Sequence, residues 1–472
     1  MELGQRLKTK TKTTTAICCT LTRFQGSDTI RESFGLASFG TRRTCKHPAH
    51  IYDPGEIGYL FGGYVKHLPL LIISCAVVFH CAIPQRALGQ GSMSINDLSS
   101  ARIASKGKGF RVKHTFTGTD GGLPTAVLIQ DSAGNLYGTT SSGGDAGLGV
   151  VFKLDTGNNE TVLHSFSGSD GAAPHGGLVR DSAGNLYGTT SSGGAYGLGT
   201  VFKIDTGGTE TVLHSFAGSP DGAQPYAGLV MDGSGNFYGT TQDGGAYGFG
   251  TVFKVDNTET ETVLHSFAGG SSDGADPTAR VILDSTGNLY GTTFAGGSSG
   301  KGTVFKLDTT NTETVLYDFT GGADGGNPFG GLTLAQDGTL YGTAESGGKN
   351  APSQYGCCKG VLFGLSSTFN SSGEKVLYTF TGGKDGGTPT ADLVLYNGAL
   401  YGTTLSGGPG HRGTAFSVTI ASGHEEVLHG FTGKRDGATP QAGLLINAQG
   451  VIYGTAEKGG RFKQGTVFLY KK

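Results

Sequence analysis

The stretch Gly184-Asn185-Leu186-Tyr187-Gly188-Thr189-Thr190 decides the fold, because it returns. Its tyrosine recurs at Tyr137, Tyr187, Tyr238, Tyr290, Tyr341, Tyr401 and Tyr453, at spacings of 50, 51, 52, 51, 60 and 52 residues. A fixed period of this size marks a repeat architecture. Outward from the motif, one unit reads as four short runs: 177–180, 185–190, 200–205 and 210–216. The first and second are joined by a tight turn at 181–184. A glycine-rich loop at 191–199 follows the second, and a turn at 206–209 the third. In the fourth, Val212, His214 and Phe216 alternate against Leu213 and Ser215. Such runs, β-branched and aromatic and bounded by Gly, Asp, Asn and Ser, read as strands. No window carries a sustained helical period.

Four antiparallel strands per unit is the blade of a β-propeller. The chain is therefore expected to be all-β, one seven-bladed β-propeller over residues 105–472. The body opens with a lone fourth-type run, 110–116 (FRVKHTF), and ends with a lone third-type run, 465–470 (GTVFLY). Pairing these two closes the ring and removes an exposed sheet edge. With the run after each proline innermost, the G-x-D-G-x-x-P crossings and the glycine-rich loops share one face. The tight turns lie on the other.

The 87 glycines, set at fixed offsets, read as turn residues rather than as disorder, and tryptophan is absent. The formal net charge is -2, but residues 1–89 hold 11 Lys and Arg against 5 Asp and Glu, leaving the repeat body acidic. That balance argues against nucleic acid and anionic membranes as partners. Residues 1–64 show no period and read as disordered or as a mis-assigned start. Residues 65–89 have the layout of a secretory signal peptide: Lys66 and His67, the apolar run 68–83, then a small-residue site at Ala87-Leu88-Gly89. Pro69 and His80 break that run, so no membrane span is expected in the mature chain. Residues 90–104 read as a linker. This layout predicts a secreted, surface or periplasmic protein. Five of the seven cysteines fall before residue 90, so the body needs no disulfide framework.

The blade motifs G-N-L-Y-G-T-T, G-T-V-F-K and H-S-F-x-G-x-D-G resemble the GloVer tandem-repeat family of exported bacterial proteins, over roughly 110–472. The pattern P-x-G-L-V-x-D-x-x-G-N-L-Y is also similar, more distantly, to NHL-type blades. The resemblance implies a propeller-like exported protein, and it brings no catalytic residue.

Residues shared by all blades are expected to build the blade. These include the aspartates Asp120, Asp170, Asp221, Asp273, Asp324, Asp385 and Asp436, read as caps of their own Asp-Gly turns. The histidines His114, His164, His214, His265 and His429, replaced by Tyr317 and Tyr378 in two blades, read as structural. The motif tyrosines read as inter-blade core with the hydroxyl bonded to backbone. No metal site is expected from these sets. Positions that break the pattern are the candidates for function. After the crossing proline stand Thr125, His175, Tyr226, Thr278, Phe329, Thr390 and Gln441. Two residues further on, where other blades carry Gly or Val, stand Arg280 and Asp392, read as an ion pair, a grip on a polar ligand or solvated charges. The outlying loop 347–360 carries Cys357 and Cys358, adjacent and capable of a vicinal or intermolecular disulfide. His411-Arg412 and Arg461-Phe462-Lys463 occupy the next two equivalent loops.

No nucleophile elbow, HExxH, phosphate loop or cofactor motif occurs. The sequence thus predicts a monomeric, non-enzymatic binding module without a cofactor, its ligand an envelope glycan or protein. The alternatives are a hydrolase or lyase at the channel mouth and a structural surface protein. The closure is testable: deleting 105–118 should lower stability far more than deleting 1–100, and equal melting temperatures would refute it.

Overall fold

A computed structural model describes residues 109–349, 360–366 and 373–472; residues 1–108 and the Cys357-Cys358 loop, and with them the expected signal peptide and linker, lie outside the described residues. Seven four-stranded antiparallel sheets follow one another along the chain, and no described residue is helical. The second blade contains Val179–Arg180, Leu186–Thr190, Thr200–Ile204 and Glu210–Ser215, paired in that order. In the seventh, Leu445–Ile446, Val451–Ala456 and Thr466–Lys471 come from the C-terminus, and Gly109–Thr115 supplies the outermost strand. Phe110 lies opposite Tyr470 and Thr115 opposite Thr466, so the first strand of the body closes the ring on the last.

The motif shows why the ring holds. Gly184 turns at φ +99°, a conformation open to glycine. Asn185 Nδ2 and Tyr187 Oη both donate to Asp181 Oδ2, at 2.8 and 3.1 Å. The tyrosine hydroxyl thus bonds a side chain of its own tight turn, not the backbone as expected, because the carboxylate already held by that turn lies within its reach. Its ring packs on Phe237 of the next blade at 4.3 Å. A Cβ on Gly188 would lie 2.7 Å from Phe202 Cζ, so this glycine makes room for the phenyl ring of the next strand. Thr189 Oγ1 donates to Ala227 O of the next blade at 2.7 Å, and the same bond from Thr455 to Ala126 O at 3.2 Å spans the closure. Thr190 Oγ1 bonds Ser192 O at 3.0 Å and pins the glycine-rich loop.

The core is divided by seam. One cluster joins Tyr137, Val151 and Phe166 of the first blade to Leu178, Leu186, Phe202 and Ile204 of the second. At each seam the phenylalanine after an outermost strand meets the third-strand phenylalanine of the next blade edge-on. Phe166–Phe202 centroids are 5.1 Å apart, and Phe116–Phe152 repeats the 5.1 Å contact at the closure.

Two details depart from the expected strands. The innermost strand pairs over two residues only, Val179–Arg180, rather than 177–180. Its start forms channel wall instead of ladder: a Cβ on Gly176 would lie 2.5 Å from Gly228 N of the neighbouring blade. The outermost strand carries a bulge, with His214 opposite Val201 but Val212 opposite Phe202. The extra residue breaks the alternation, and Leu213 joins Phe216 in the same inter-blade cluster.

Candidate functional site

Each crossing between blades pairs with the glycine-rich loop of the blade it enters, Gly122 with Ser142 and Ala172 with Ser192. The crossings and these loops therefore form one face, and the residues after each crossing proline line the channel mouth there. Thr125, His175, Tyr226, Arg280, Phe329, Asp392 and Gln441 all border a single depression of about 490 Å³, together with Thr278 and Thr390.

One side of the mouth is aromatic. His175 stacks on Tyr226 with centroids 4.3 Å apart and planes at 14°. Tyr226 meets Phe329 edge-on at 5.8 Å, and Phe329 meets Phe294 at 6.3 Å. The Thr125 hydroxyl lies 3.2 Å from His175 Nδ1. Burial pushes the His175 imidazole down to about 4, so the ring is neutral at physiological pH. A neutral, stacked imidazole recognises a ligand by hydrogen bonding and is poorly matched to proton transfer near pH 7. Burial likewise raises the Tyr226 phenol, which stays protonated as a donor.

The floor is ionic. Arg280 Nε donates to Asp392 Oδ2 at 2.8 Å, and Gly331 N donates to Asp392 Oδ1 at 2.6 Å. These contacts tie the fourth, fifth and sixth blades across the channel. A second depression, lined by Val127, Leu128, Ile129, Val179, Val394 and Leu445 among others, also borders Arg280. The polar mouth and this largely aliphatic depression share Val127, Gly177, Gly228 and Arg280 as their common wall. Of the readings open for the two charges, the structure shows the inter-blade ion pair. Thr390, only 6 % exposed, also borders the mouth, its hydroxyl oxygen buried and without a hydrogen-bond partner.

Four large hydrophobic side chains stand exposed among the described residues: Tyr196 at 65 %, Tyr247 at 63 %, Phe462 at 48 % and Phe249 at 44 %. All four lie in the glycine-rich loops, on the face of the mouth. The sequence reading named Phe462 and passed over the other three; the signal of Tyr196 and Tyr247 was an aromatic residue where the equivalent loops carry Ala146 or Ser299, while Phe249 stands where they carry Leu148 or Leu198.

A second set of side chains lies at the rim. Asp170 Oδ2 accepts from His164 Nε2 at 2.9 Å while its Oδ1 accepts from Ser167 N at 2.8 Å. The aspartate thus caps a backbone N–H of its own turn, and Asp221 and Asp273 cap the glycine that follows them at 2.7 and 2.6 Å. Twist carries the start of each outermost strand toward the preceding blade, so Glu210 of the second blade faces this pair. The donor atoms of His164, Asp170 and Glu210 lie within 4.8 Å of one another, and those of His214, Asp221 and Glu261 do the same. One imidazole with two carboxylates is a donor set that suits a divalent cation; protonating the glutamate balances the same charge. The sequence reading treated the aspartates and histidines separately and missed the glutamate. Its signal was the glutamate that stands four residues before the histidine or tyrosine of six of the seven outermost strands, Glu160, Glu210, Glu261, Glu313, Glu374 and Glu425. At the closure Phe110 stands in the glutamate's place and stacks on His429 at 3.6 Å and 10°.

The profile of the Gloeobacter/Verrucomicrobia repeat matches residues 99–283 and again 270–468. None of the curated proteins matches the chain. Solved structures similar to it include virginiamycin B lyase from Staphylococcus aureus, 11 % identical, covering 77 % of this chain and 100 % of that one at a TM-score of 0.48. The extracellular domain of a putative one-component system from B. thetaiotaomicron is 10 % identical, covering 77 % of this chain and 40 % of that one at 0.49. An oligogalacturonate lyase in complex with manganese is 12 % identical, covering 78 % and 94 % at 0.48. At such identities and scores no activity or ligand transfers to this chain.

The rim clusters predict a pH dependence. Burial, and then the charge of Asp170, push the Glu210 carboxyl up from 4.5 to about 7. Between those values the folded chain holds the proton more tightly than the unfolded one, so this group's contribution to stability falls as pH rises. Relative to the parent, Glu210→Gln should gain melting temperature steadily from pH 4.5 to 7.5; a difference that stays flat over that range would contradict this account.

Proposed function

We propose, for a chain that belongs to the Gloeobacter/Verrucomicrobia repeat family, that it is a non-enzymatic binding module that takes a glycan on the loop face of its propeller. The observation that carries this reading is the confinement of every exposed large hydrophobic side chain among the described residues to that one face. A protein surface keeps such rings in water where they have a partner to cover, and an aromatic face with a hydroxyl handle suits the apolar face of a sugar ring. The mouth adds a neutral imidazole and a phenol, both groups that hydrogen-bond sugar hydroxyls. Support for binding over catalysis comes from the charged pair bordering the mouth, in which Asp392 accepts from both Arg280 Nε and Gly331 N. The signal-peptide layout of residues 65–89 supports export to the cell surface or periplasm as the setting for such a ligand.

A glycan array, neutral and charged, probed with the parent and with a Tyr196→Ala/Tyr247→Ala variant tests the reading. The parent should bind at least one glycan class. The variant should keep its melting temperature and lose affinity about tenfold or more. An array without binding, or a variant that binds like the parent, would overturn the proposal.

A further inference from the structure

The loop face is electrically divided. In the crossings and glycine-rich loops of the first three blades there is no Lys or Arg, and there are five carboxylates, Asp120, Asp145, Asp170, Asp221 and Asp243. In the same loops of the sixth and seventh blades there are seven Lys and Arg against three carboxylates, Asp385, Asp436 and Glu457. All three are occupied, Asp385 by Tyr378 and Thr381. His429 and Thr432 hold Asp436, and Glu457 lies 3.3 Å from Lys458. The body as a whole is acidic, so this sector runs against the charge of the scaffold that carries it.

The cations are gathered by backbone bonds. Arg412 O accepts from Thr439 N at 2.8 Å, and Lys434 O accepts from Gly460 N at 2.7 Å. The loop of Arg412, the crossing of Lys434 and Arg435, and the loop of Arg461 and Lys463 are thereby laid side by side. The Arg412 stem lies over Gly433, 3.3 Å from where a Cβ would stand. These five side chains are exposed. In their midst stands Phe462, half-exposed, with the Arg461 guanidinium 5.3 Å from its ring centroid. An exposed aromatic ring ringed by unneutralised cations matches a ligand with both a sugar face and fixed negative charges.

We infer that the sector formed by the sixth and seventh blades binds an acidic polysaccharide, one whose sugars carry carboxylate or sulfate groups. Phe462 lies against a sugar ring, and Arg412, Lys434, Arg435 and Lys463 pair with the acidic groups of that unit and its neighbours. The carboxylate-rich loops of the first three blades repel the same charges and so fix which side of the face the acidic stretch occupies. This inference rests on the glycan-binding reading above and adds the class of glycan and its position. A polynucleotide offers anions as well, but Phe462, the single exposed large ring of this sector among the described residues, gives no platform on which successive bases stack.

The test measures binding of the full chain to dextran, dextran sulfate, alginate and a single-stranded oligonucleotide, at low and at physiological salt. Dextran and dextran sulfate differ only in charge, and alginate separates carboxylate from sulfate as its source. At least one acidic polymer should bind tenfold or more tightly than dextran, and salt should weaken it. Lys434→Ala/Arg435→Ala should reduce that affinity by about fivefold per cation removed with an unchanged melting temperature. Phe462→Ala should reduce it too, while Lys301→Ala, on the fourth blade, should not. Dextran binding as tightly as dextran sulfate would overturn the inference and leave the glycan reading standing. Binding of none of the polysaccharides would overturn both. An oligonucleotide bound as tightly as the acidic polymers, or full affinity in the double variant, would also overturn the inference.

Discussion

Everything in this molecule depends on an edge-to-face contact between two phenylalanines, made once per seam. The contact between Phe166 and Phe202 recurs between Phe216 and Phe253 at 5.0 Å and between Phe431 and Phe468 at 5.3 Å. A single blade cannot bury its own faces, and its four short strands would be marginal alone. The aromatic pair makes one blade's last strand part of the next blade's core. Such a pair contributes about 0.5–1.5 kcal/mol beyond the area it buries. Around the ring the contributions are linked, since each blade supplies one ring to each neighbour. The conserved geometry of the glycine beside each motif tyrosine follows from this: the Phe ring needs the space a Cβ would take, as at Gly188 and Gly454.

That arrangement frees the loop face from structural duty. The threonines, tyrosines and phenylalanines that hold the seams point into or between blades, while the glycine-rich loops are fastened mainly through backbone bonds and a threonine hydroxyl. Side chains at the loop tips are therefore available for a ligand, and this is where the blades differ: Tyr196 and Tyr247 on two neighbouring blades, Arg461, Phe462 and Lys463 on the last. The channel mouth behaves in the same way. Small residues keep adjacent backbones in contact, and the larger side chains at Val127, Arg280 and Asp392 fill the space the glycines leave.

Much of this was legible in the sequence because a repeat is its own control. The period, the four runs and the unmatched runs at either end lead to seven blades and a closed ring without further information. Convergence of the seven pattern-breaking positions on one mouth also follows from strand phase alone. What was not legible depends on the third dimension between blades. Glu210 and His164 are 46 residues apart in the chain and meet only because the outermost strand turns toward its neighbour. Arg280 and Asp392, 112 residues apart, carry no sequence mark of pairing. The bulge at Leu213 inserts a residue into a run that alternates in sequence, so the pattern alone places Leu213 on the wrong side.

The central claim, that the seam phenylalanines hold the ring through their direct contact, is tested most directly by a double-mutant cycle. Phe166→Leu, Phe202→Leu and the pair would be compared with the parent by chemical denaturation. The account predicts a coupling energy of about 0.5–1.5 kcal/mol between the two sites. Losses that add to within about 0.3 kcal/mol would show two independent cavities and contradict it.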